Sequence, residues 1–298
     1  MCGYRLNIDG ILYAKNYEEV TRLSVDPIES VPLYHFHPGT SVLSIASLGA
    51  NLPERATPYV GPPPEETESR WFSPAELVDT AAGRGVRAIV YAGPEALLWP
   101  EFLIDIAAPA REEGLRNILV TNGYGLDGPV TEIAPLVSAA ALVFLGGHDA
   151  YQALGATAGV EPVVRTGRAL AAGGAHLEAV FLVVQGVNDS DAALAEAGRI
   201  LATDVRPSAV HVSSTLAPGR TPKVQALRHA HARLRTTLSP IPVYSSILFD
   251  PIGNDSACRR CGAILVSRSG PAPRIGPLEP PGRCGVCGEK ADIIFEPA

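Results

Sequence analysis

The chain has 298 residues, of which 46% are hydrophobic and 18% are charged, and its formal net charge is −7 at pH 7. This composition is typical of a globular protein and excludes a wholly disordered chain. The sequence contains no cluster of basic residues, which disfavours a nucleic-acid partner. The longest apolar run, Leu136 to Leu145, is too short to cross a bilayer, and the N-terminus lacks the apolar stretch of a signal peptide. We therefore expect a cytoplasmic protein with no membrane partner.

The chain divides into three predicted parts. Residues 1–39 are an N-terminal segment, in which Asn7-Ile8-Asp9-Gly10 predicts a β-hairpin. Residues 40–250 alternate between strand-like and helix-like stretches and form the main domain. Residues 251–298 are rich in Gly, Pro and Cys and form a small metal-binding module.

Six runs of aliphatic and β-branched residues predict the strands of the main domain. They lie between polar or glycine-containing stretches, as expected when each strand is followed by a turn. The six predicted strands are Ser41 to Ala46, Val86 to Tyr91, Arg116 to Thr121, Ala140 to Leu145, Leu177 to Val184 and Ala209 to Ser213.

Helix-like stretches separate most of these strands. The clearest start signal is Ser73-Pro74-Ala75-Glu76, a capping box with Pro at the first helical position. Alternating strands and helices predict a parallel sheet with right-handed crossovers, and six such units indicate an open or partial barrel. The predicted helices begin near Pro74, Trp99, Pro162, Asp189 and Thr221.

Four cysteines near the C-terminus predict a metal site. Cys258 and Cys261 form one Cys-x2-Cys pair, and after 22 residues Cys284 and Cys287 form another. A glycine follows each pair and permits the tight turn that brings two thiolates to one point. Two such turns complete a tetrahedral site, which is structural because the protein fills all four positions. Zinc is the expected ion, and iron in a rubredoxin-like site is the alternative.

Several longer motifs carry a family resemblance. They are the run from Leu23 to Gly39, which contains Tyr-His-Phe-His-Pro-Gly, and the segments Trp71 to Leu77, Glu112 to Tyr124, Val184 to Ser190 and His211 to Ser213. Together they resemble the radical S-adenosylmethionine (SAM) enzyme of the AmmeMemoRadiSam system, which is related to pyruvate formate-lyase activating enzymes. The resemblance covers nearly the whole chain. It implies an α/β fold, a partial (β/α)6 radical-SAM-type barrel followed by a small C-terminal module of zinc-ribbon or rubredoxin-like type with four cysteine ligands.

The departures from this family concern its chemistry. The family has a Cys-x3-Cys-x2-Cys motif after its first barrel strand, and these three thiolates hold a [4Fe–4S] cluster that binds SAM. Here the three positions are Ala50, Glu54 and Thr57, and none supplies a thiolate. We therefore expect the [4Fe–4S] cluster, and reductive cleavage of SAM with it, to be absent.

Two interpretations follow. In the favoured one, the chain is a pseudoenzyme whose barrel binds a small molecule or a protein partner, such as a true radical SAM enzyme. In the alternative, the barrel has been repurposed as a non-radical enzyme that still binds SAM. Fold alone does not separate the two.

In either case a ligand would meet the carboxyl ends of the strands. Simpler structural roles compete there: Asn188-Asp189-Ser190 predicts a helix cap, Asn122-Gly123 a turn, and His148-Asp149 a solvated loop. For His211, ligand contact and a buried structural role are equally favoured. For His35 and His37, a structural role is favoured over metal binding. The candidate ligand-binding residues are Asn51, Glu54, Tyr91, Glu95, Asn122, His148, Asp149, Asn188, His211 and Ser213.

Overall fold

A mostly parallel sheet of eight strands forms the body of the fold. Its strands are rich in Val, Ile, Leu and Ala and are largely buried, as expected for a parallel sheet covered on both faces. The computed structural model describes residues 4–53, 56–57, 67–214, 223–245, 253–270 and 272–296. Within them the sheet comprises β1 (Arg22–Pro27), β2 (Ser41–Ala46), β3 (Ala88–Ala92), β4 (Arg116–Thr121), β5 (Ala139–Phe144), β6 (His176–Val183), β7 (Ala209–Ser214) and β8 (Val243–Ser245).

The strands lie in the sheet in the same order as in the chain. From β2 to β8 each neighbouring pair is parallel, whereas β1 pairs antiparallel with β2. The six strands predicted from the sequence are therefore confirmed as β2 to β7. The two outer strands were not predicted: β1 falls in the predicted N-terminal segment, and β8 is only three residues long.

Helices connect the parallel strands. Ser73 and Glu76 form the predicted capping box, in which the Glu76 backbone N–H donates to Ser73 Oγ and the Ser73 backbone N–H donates to Glu76 Oε2. Among the described residues, no helix is both long enough and apolar enough to cross a bilayer. The helices are α1 (Pro74–Gly83), α2 (Pro100–Glu112), α3 (Asp127–Ile133), α4 (His148–Ala153), α5 (Glu161–Ala172), α6 (Asp191–Ile200) and α7 (Val224–Thr237).

The N-terminal hairpin predicted at Asn7 to Gly10 is confirmed. Strands Arg5–Ile8 and Ile11–Ala14 pair antiparallel across a two-residue turn. Asp9 and Gly10 both have positive φ angles, 52° and 87°, which is the conformation that a type I′ turn requires.

The C-terminal residues form a separate small β-structure. Strands Ser256–Ala257, Ile264–Ser267 and Arg274–Ile275 make an antiparallel sheet, and Leu278–Glu279 pairs with Arg283–Cys284. Its own small core contains Leu265, Val266, Leu278 and Ile293, together with Cys258 and Cys284. We call this unit, residues 253–296 as far as they are described, the four-cysteine module.

A buried carboxylate, Glu178 on β6, joins the chain before β2 to the sheet. Its oxygens accept hydrogen bonds from the backbone N–H groups of Tyr34 (3.0 Å) and His35 (2.8 Å). They also lie 3.1 Å from His176 Nε2 and 2.7 Å from His211 Nε2. Because an ionised carboxylate only accepts, both imidazoles donate to it. Burial alone would raise the pKa of Glu178, but the bonds from His176 and His211 outweigh burial and hold this pKa well below its usual value.

The four-cysteine module is joined to the same region. The guanidinium group of Arg268 donates to the Tyr34 carbonyl oxygen (2.7 Å) and to Ser256 Oγ (2.8 Å), and it lies 4.0 Å from the centre of the Tyr34 ring. Phe36 also forms a parallel bridge with Ile294. The segment before β2 is therefore held between the sheet and the module.

Replacing Glu178 with Gln tests this joint. The amide would direct an N–H group at donors from which the carboxylate now accepts, so we expect the free energy of unfolding to fall by roughly 3 kcal/mol. Urea denaturation followed by tryptophan fluorescence measures the change. Glu112→Gln, at an exposed position on α2, is the matched control and should stay within about 0.5 kcal/mol of the parent. A loss below about 1 kcal/mol for Glu178→Gln would contradict the role given to this carboxylate.

The burial of His35 predicts acid sensitivity. Burial lowers the pKa of His35 from 6.5 to about 4, so the folded protein takes up this proton less readily than the unfolded chain. Its contribution to stability is therefore complete above pH 6.5 and is lost as the pH falls toward 4. Between pH 6.5 and 5 we expect the free energy of unfolding to fall by about 2 kcal/mol from this group. Urea denaturation across this range, compared between the parent and His35→Gln, measures the effect. An equal pH dependence in both proteins would refute it.

Candidate metal centre and carboxyl edge of the sheet

The four predicted metal ligands lie together in the four-cysteine module. The Sγ atoms of Cys258 and Cys287 are 3.6 Å apart, and those of Cys261 and Cys284 are 3.7 Å apart. All four Sγ atoms lie within 4.8 Å of one another. A tetrahedral site with Zn–S bonds of about 2.3 Å has sulfur–sulfur edges of about 3.8 Å. The four thiols are therefore spaced as the ligands of one tetrahedrally coordinated ion with metal–sulfur bonds of about 2.3 Å.

Two similar turns place these cysteines. In each, the N–H of the glycine after the pair donates to the carbonyl of the first cysteine: Gly262 to Cys258 at 2.9 Å and Gly288 to Cys284 at 2.8 Å. Both glycines have positive φ, 74° and 71°, and an added Cβ at either would meet no atom within 4 Å. Glycine is therefore needed here for its backbone conformation rather than for space.

Backbone N–H groups favour the thiolate form of Cys258. The N–H of Cys261 points at Cys258 Sγ and, with the N–H of Arg260, lowers the pKa of the Cys258 thiol to about 7. Cys258 and Cys284 are buried, Cys287 is half-buried and Cys261 is exposed. Because four protein thiols fill the tetrahedron, an ion held here has no open position for substrate. The fifth cysteine, Cys2, lies outside the described residues.

Three of the candidate ligand-binding residues form one hydrogen-bonded network at the carboxyl edge of the sheet. Glu95, which follows β3, is fully buried and accepts bonds from Leu97 N, Thr121 Oγ1 and Asn122 N. Asn122, which follows β4, donates through Nδ2 to Asn51 Oδ1 at 2.7 Å. Burial raises the pKa of Glu95 to about 6 against the effect of these donors.

The backbone of Tyr124 also belongs to this network. Asn51 donates to the Tyr124 carbonyl oxygen, and the Tyr124 N–H donates to Asn122 Oδ1, which is the turn predicted at Asn122-Gly123. The loops after β2, β3 and β4 are therefore fastened to one another. Glu54, which the sequence places in the first of these loops, lies outside the described residues.

The remaining candidates lie apart from this network. Tyr91 on β3 is buried, and its hydroxyl donates to Asn117 Oδ1. His148 and the exposed Asp149 begin α4, where the sequence predicted a loop, and His148 lies 3.5 Å from Glu161. A carboxylate in the first turn of a helix favours helix formation there, which explains the difference at Asp149.

Asn188 and His211 both have structural partners. The side chain of Asn188 bonds the backbone of Val184, Leu145 and Leu182, which uses its amide fully. In the helix cap predicted nearby, Ser190 is the residue whose Oγ accepts from the N–H of Ala193. His211 is buried against Glu178, and the half-buried Ser213 lies two residues further along β7.

His35 and His37 are both buried. His35 Nε2 lies 2.7 Å from the hydroxyl of Tyr244 on β8, and its backbone N–H donates to Glu178. Sequence reasoning overlooked Glu178. Its only local signal is a single acidic residue inside the otherwise apolar run Leu177 to Val184.

Comparison with known proteins identifies a relative that is similar to this chain over nearly its whole length. The chain is 32% identical over 306 aligned positions to the uncharacterized protein MJ0808 of Methanocaldococcus jannaschii, an alignment that covers 99% of this chain and 90% of the relative. The chain belongs to the MJ0808 family. No protein-family model matches it.

Solved structures show what the fold resembles. A radical SAM methyltransferase from Sphaerobacter thermophilus superposes with a TM-score of 0.52 at 19% identity, covering 71% of this chain and 67% of that one. A domain of the pyruvate-formate lyase-activating enzyme from Bacteroides vulgatus covers 53% of this chain at 18% identity, with a TM-score of 0.43. At this identity the methyltransferase shows the fold alone. The MJ0808-family chain thus has an α/β fold similar to that of a radical SAM enzyme.

The sulfur geometry predicts the metal content. The purified protein should contain one zinc or iron ion per chain and no acid-labile sulfide, as measured by plasma mass spectrometry and a sulfide assay. Cys284→Ser removes a buried ligand, so its metal content should fall close to zero. Cys2→Ser is the matched control and should keep the ion. A full equivalent of metal in Cys284→Ser would show that these thiols are not the ligands.

Proposed function

We propose that this protein is a degenerate relative of the AmmeMemoRadiSam radical SAM enzymes, a pseudoenzyme of the cytoplasm. The six strands β2 to β7 and their helices form a partial (β/α)6 barrel that binds a small ligand or a protein partner, such as a true radical SAM enzyme. Zinc in the four-cysteine module has a structural role. The family resemblance of the sequence and the likeness of the fold support this proposal.

The distribution of the cysteines carries the proposal. Between Cys2 and Cys258 the sequence contains no cysteine, so the segment after β2 has no thiolate for a cluster. Four of the five cysteines already lie within 4.8 Å of one another in the four-cysteine module. A [4Fe–4S] cluster that activates SAM needs three thiolates at one site. The segment directly after β2, where the family has its three cysteines, offers no such set.

The network of Asn51, Glu95 and Asn122 supports a binding role over a catalytic one. Glu95 accepts three hydrogen bonds and is completely buried, so its carboxylate is occupied by the protein itself. Asn51 and Asn122 bond each other and the backbone of Tyr124. These side chains hold three loops in fixed positions, which suits a preformed binding surface.

One observation favours the alternative, a non-radical enzyme that still binds SAM. The raised pKa of Glu95, about 6, lies in the range that serves a general acid or base near neutral pH. For Glu95 to act in this way, a substrate must replace at least one of its present donors.

Anaerobic reconstitution tests the loss of radical chemistry. The protein is incubated with iron, sulfide and a reductant, and then with SAM. We expect no broad absorbance near 400 nm, a feature of [4Fe–4S] clusters, and no 5′-deoxyadenosine above a protein-free blank. The appearance of both would rule out the pseudoenzyme and the non-radical enzyme together.

Calorimetric titration with SAM separates the two remaining interpretations. A pseudoenzyme that has lost the cofactor should release no heat with SAM at concentrations up to about 1 mM. Saturable binding that Asn122→Ala weakens by about tenfold, through loss of the loop network, would favour the non-radical enzyme. Glu112→Gln serves as the control for nonspecific effects, since its side chain is exposed on α2.

A further inference from the structure

A cavity of about 370 Å³ lies between the last strand of the sheet and the four-cysteine module. The sheet side is formed by the end of α7, the turn that precedes β8 and Tyr244. The module side is formed by residues near Cys258 and by Lys290 to Ile293. The turn leads into β8, so the cavity lies at the amino end of this strand. It is therefore distinct from the carboxyl edge, where Asn51, Glu95 and Asn122 form their network.

The charged side chains around this cavity are unevenly paired. Asp292 forms an ion pair with Arg259 at 2.8 Å, and Asp255 accepts a hydrogen bond from the backbone N–H of Arg268 at 2.6 Å. Both acids in the wall are thus engaged. In the described part of the chain, Arg235 and Lys290 also line the cavity and neither has an ion-pair partner. The cavity therefore offers two unpaired cations to a ligand.

A chain of hydrogen bonds ends in the same wall at His35. Arg268 can only donate, and it donates to Ser256 Oγ, which lies 2.9 Å from the Tyr244 hydroxyl. Among the described residues Ser256 has no other acceptor, so its proton goes to Tyr244, and Tyr244 donates to His35 Nε2.

The buried imidazole of His35 is therefore the tautomer with its proton on Nδ1. In the described residues this Nδ1 atom has no hydrogen-bond partner, although it is buried. A buried donor without an acceptor is unfavourable, but this atom has almost no accessible surface and therefore does not itself face the cavity. The polar contacts of a ligand in the cavity would therefore be made by Arg235 and Lys290 rather than by His35.

Part of the wall is apolar. Ile241, Val243, Leu265 and Ile293 line it together with prolines that precede β8. A volume of about 370 Å³ lies within the range of small-molecule sites. Two unpaired cations and a partly apolar wall together fit a ligand that has an anionic group and a hydrophobic body.

We propose that this cavity binds a small organic anion, with its carboxylate or phosphate group held by Arg235 and Lys290 and its apolar body against Ile241 and Ile293. The site is built jointly by the sheet and the four-cysteine module. A bound ligand therefore also fastens the module to the sheet. This gives the four-cysteine module a role in binding that is independent of any ligand at the carboxyl edge.

Calorimetric titration of the full-length, metal-loaded protein tests the proposal with four probes: phenyl phosphate, phenylacetate, inorganic phosphate and neutral benzyl alcohol. At least one of the two aromatic anions should bind saturably below about 10 mM. It should bind at least about tenfold more tightly than benzyl alcohol, because charge-assisted hydrogen bonds hold its head group. Inorganic phosphate, which lacks the apolar body, should bind more weakly than phenyl phosphate. The two aromatic anions distinguish a phosphate from a carboxylate ligand.

Variants assign the binding to this cavity. The double variant Arg235→Gln and Lys290→Gln changes only exposed side chains, and it should weaken the bound aromatic anion by about tenfold or more. Arg260→Gln is the matched control, because Arg260 neighbours Arg259 in the module but does not line the cavity. It should alter affinity less than about twofold. Urea denaturation confirms that each variant is folded.

Three results would overturn the proposal. The first is that neither aromatic anion binds saturably up to about 10 mM. The second is equal affinity for these anions and benzyl alcohol, which would remove the need for charge. The third is unchanged affinity in the folded double variant, which would place the binding elsewhere on the protein.

Discussion

The buried carboxylate of Glu178 is the constraint on which the arrangement of this protein depends. It has no exposed surface, so its charge is tolerated only while every oxygen is hydrogen-bonded. The donors come from three places: the backbone of the segment before β2, His176 on β6 and His211 on β7. All three must be in place together. The charge therefore penalises any fold in which the N-terminal segment is detached from the sheet.

Arg268 extends this constraint to the four-cysteine module. Its guanidinium group reaches the Tyr34 carbonyl and Ser256, and it stacks on the Tyr34 ring. The module is thereby fixed against the segment that Glu178 holds. The four thiols shape the module internally, whereas Arg268 sets its position on the sheet. The cavity between α7, β8 and the module is a consequence of this docking.

The two edges of the sheet have contrasting properties. At the carboxyl edge, where the family resemblance would place a cluster and SAM, Asn51, Glu95 and Asn122 satisfy one another. At the amino end of β8, Arg235 and Lys290 line a cavity and have no ion-pair partner among the described residues. In the proposed arrangement, the polar groups of the carboxyl edge are paired with one another. The unpaired cations lie at the opposite edge of the sheet, beside the cavity.

Local patterns in the sequence were sufficient for much of this protein. The strands β2 to β7, the capping box at Ser73 and Glu76, and the glycine turns after Cys261 and Cys287 all depend on a few neighbouring residues, so propensity and spacing predict them. Only the tertiary structure decided the partners of Glu178, which include His35, 143 positions earlier in the chain. It likewise decided the short strand β8 and the docking of Arg268. Such pairings depend on which distant groups the packed chain brings within hydrogen-bond distance, and no local sequence pattern records that.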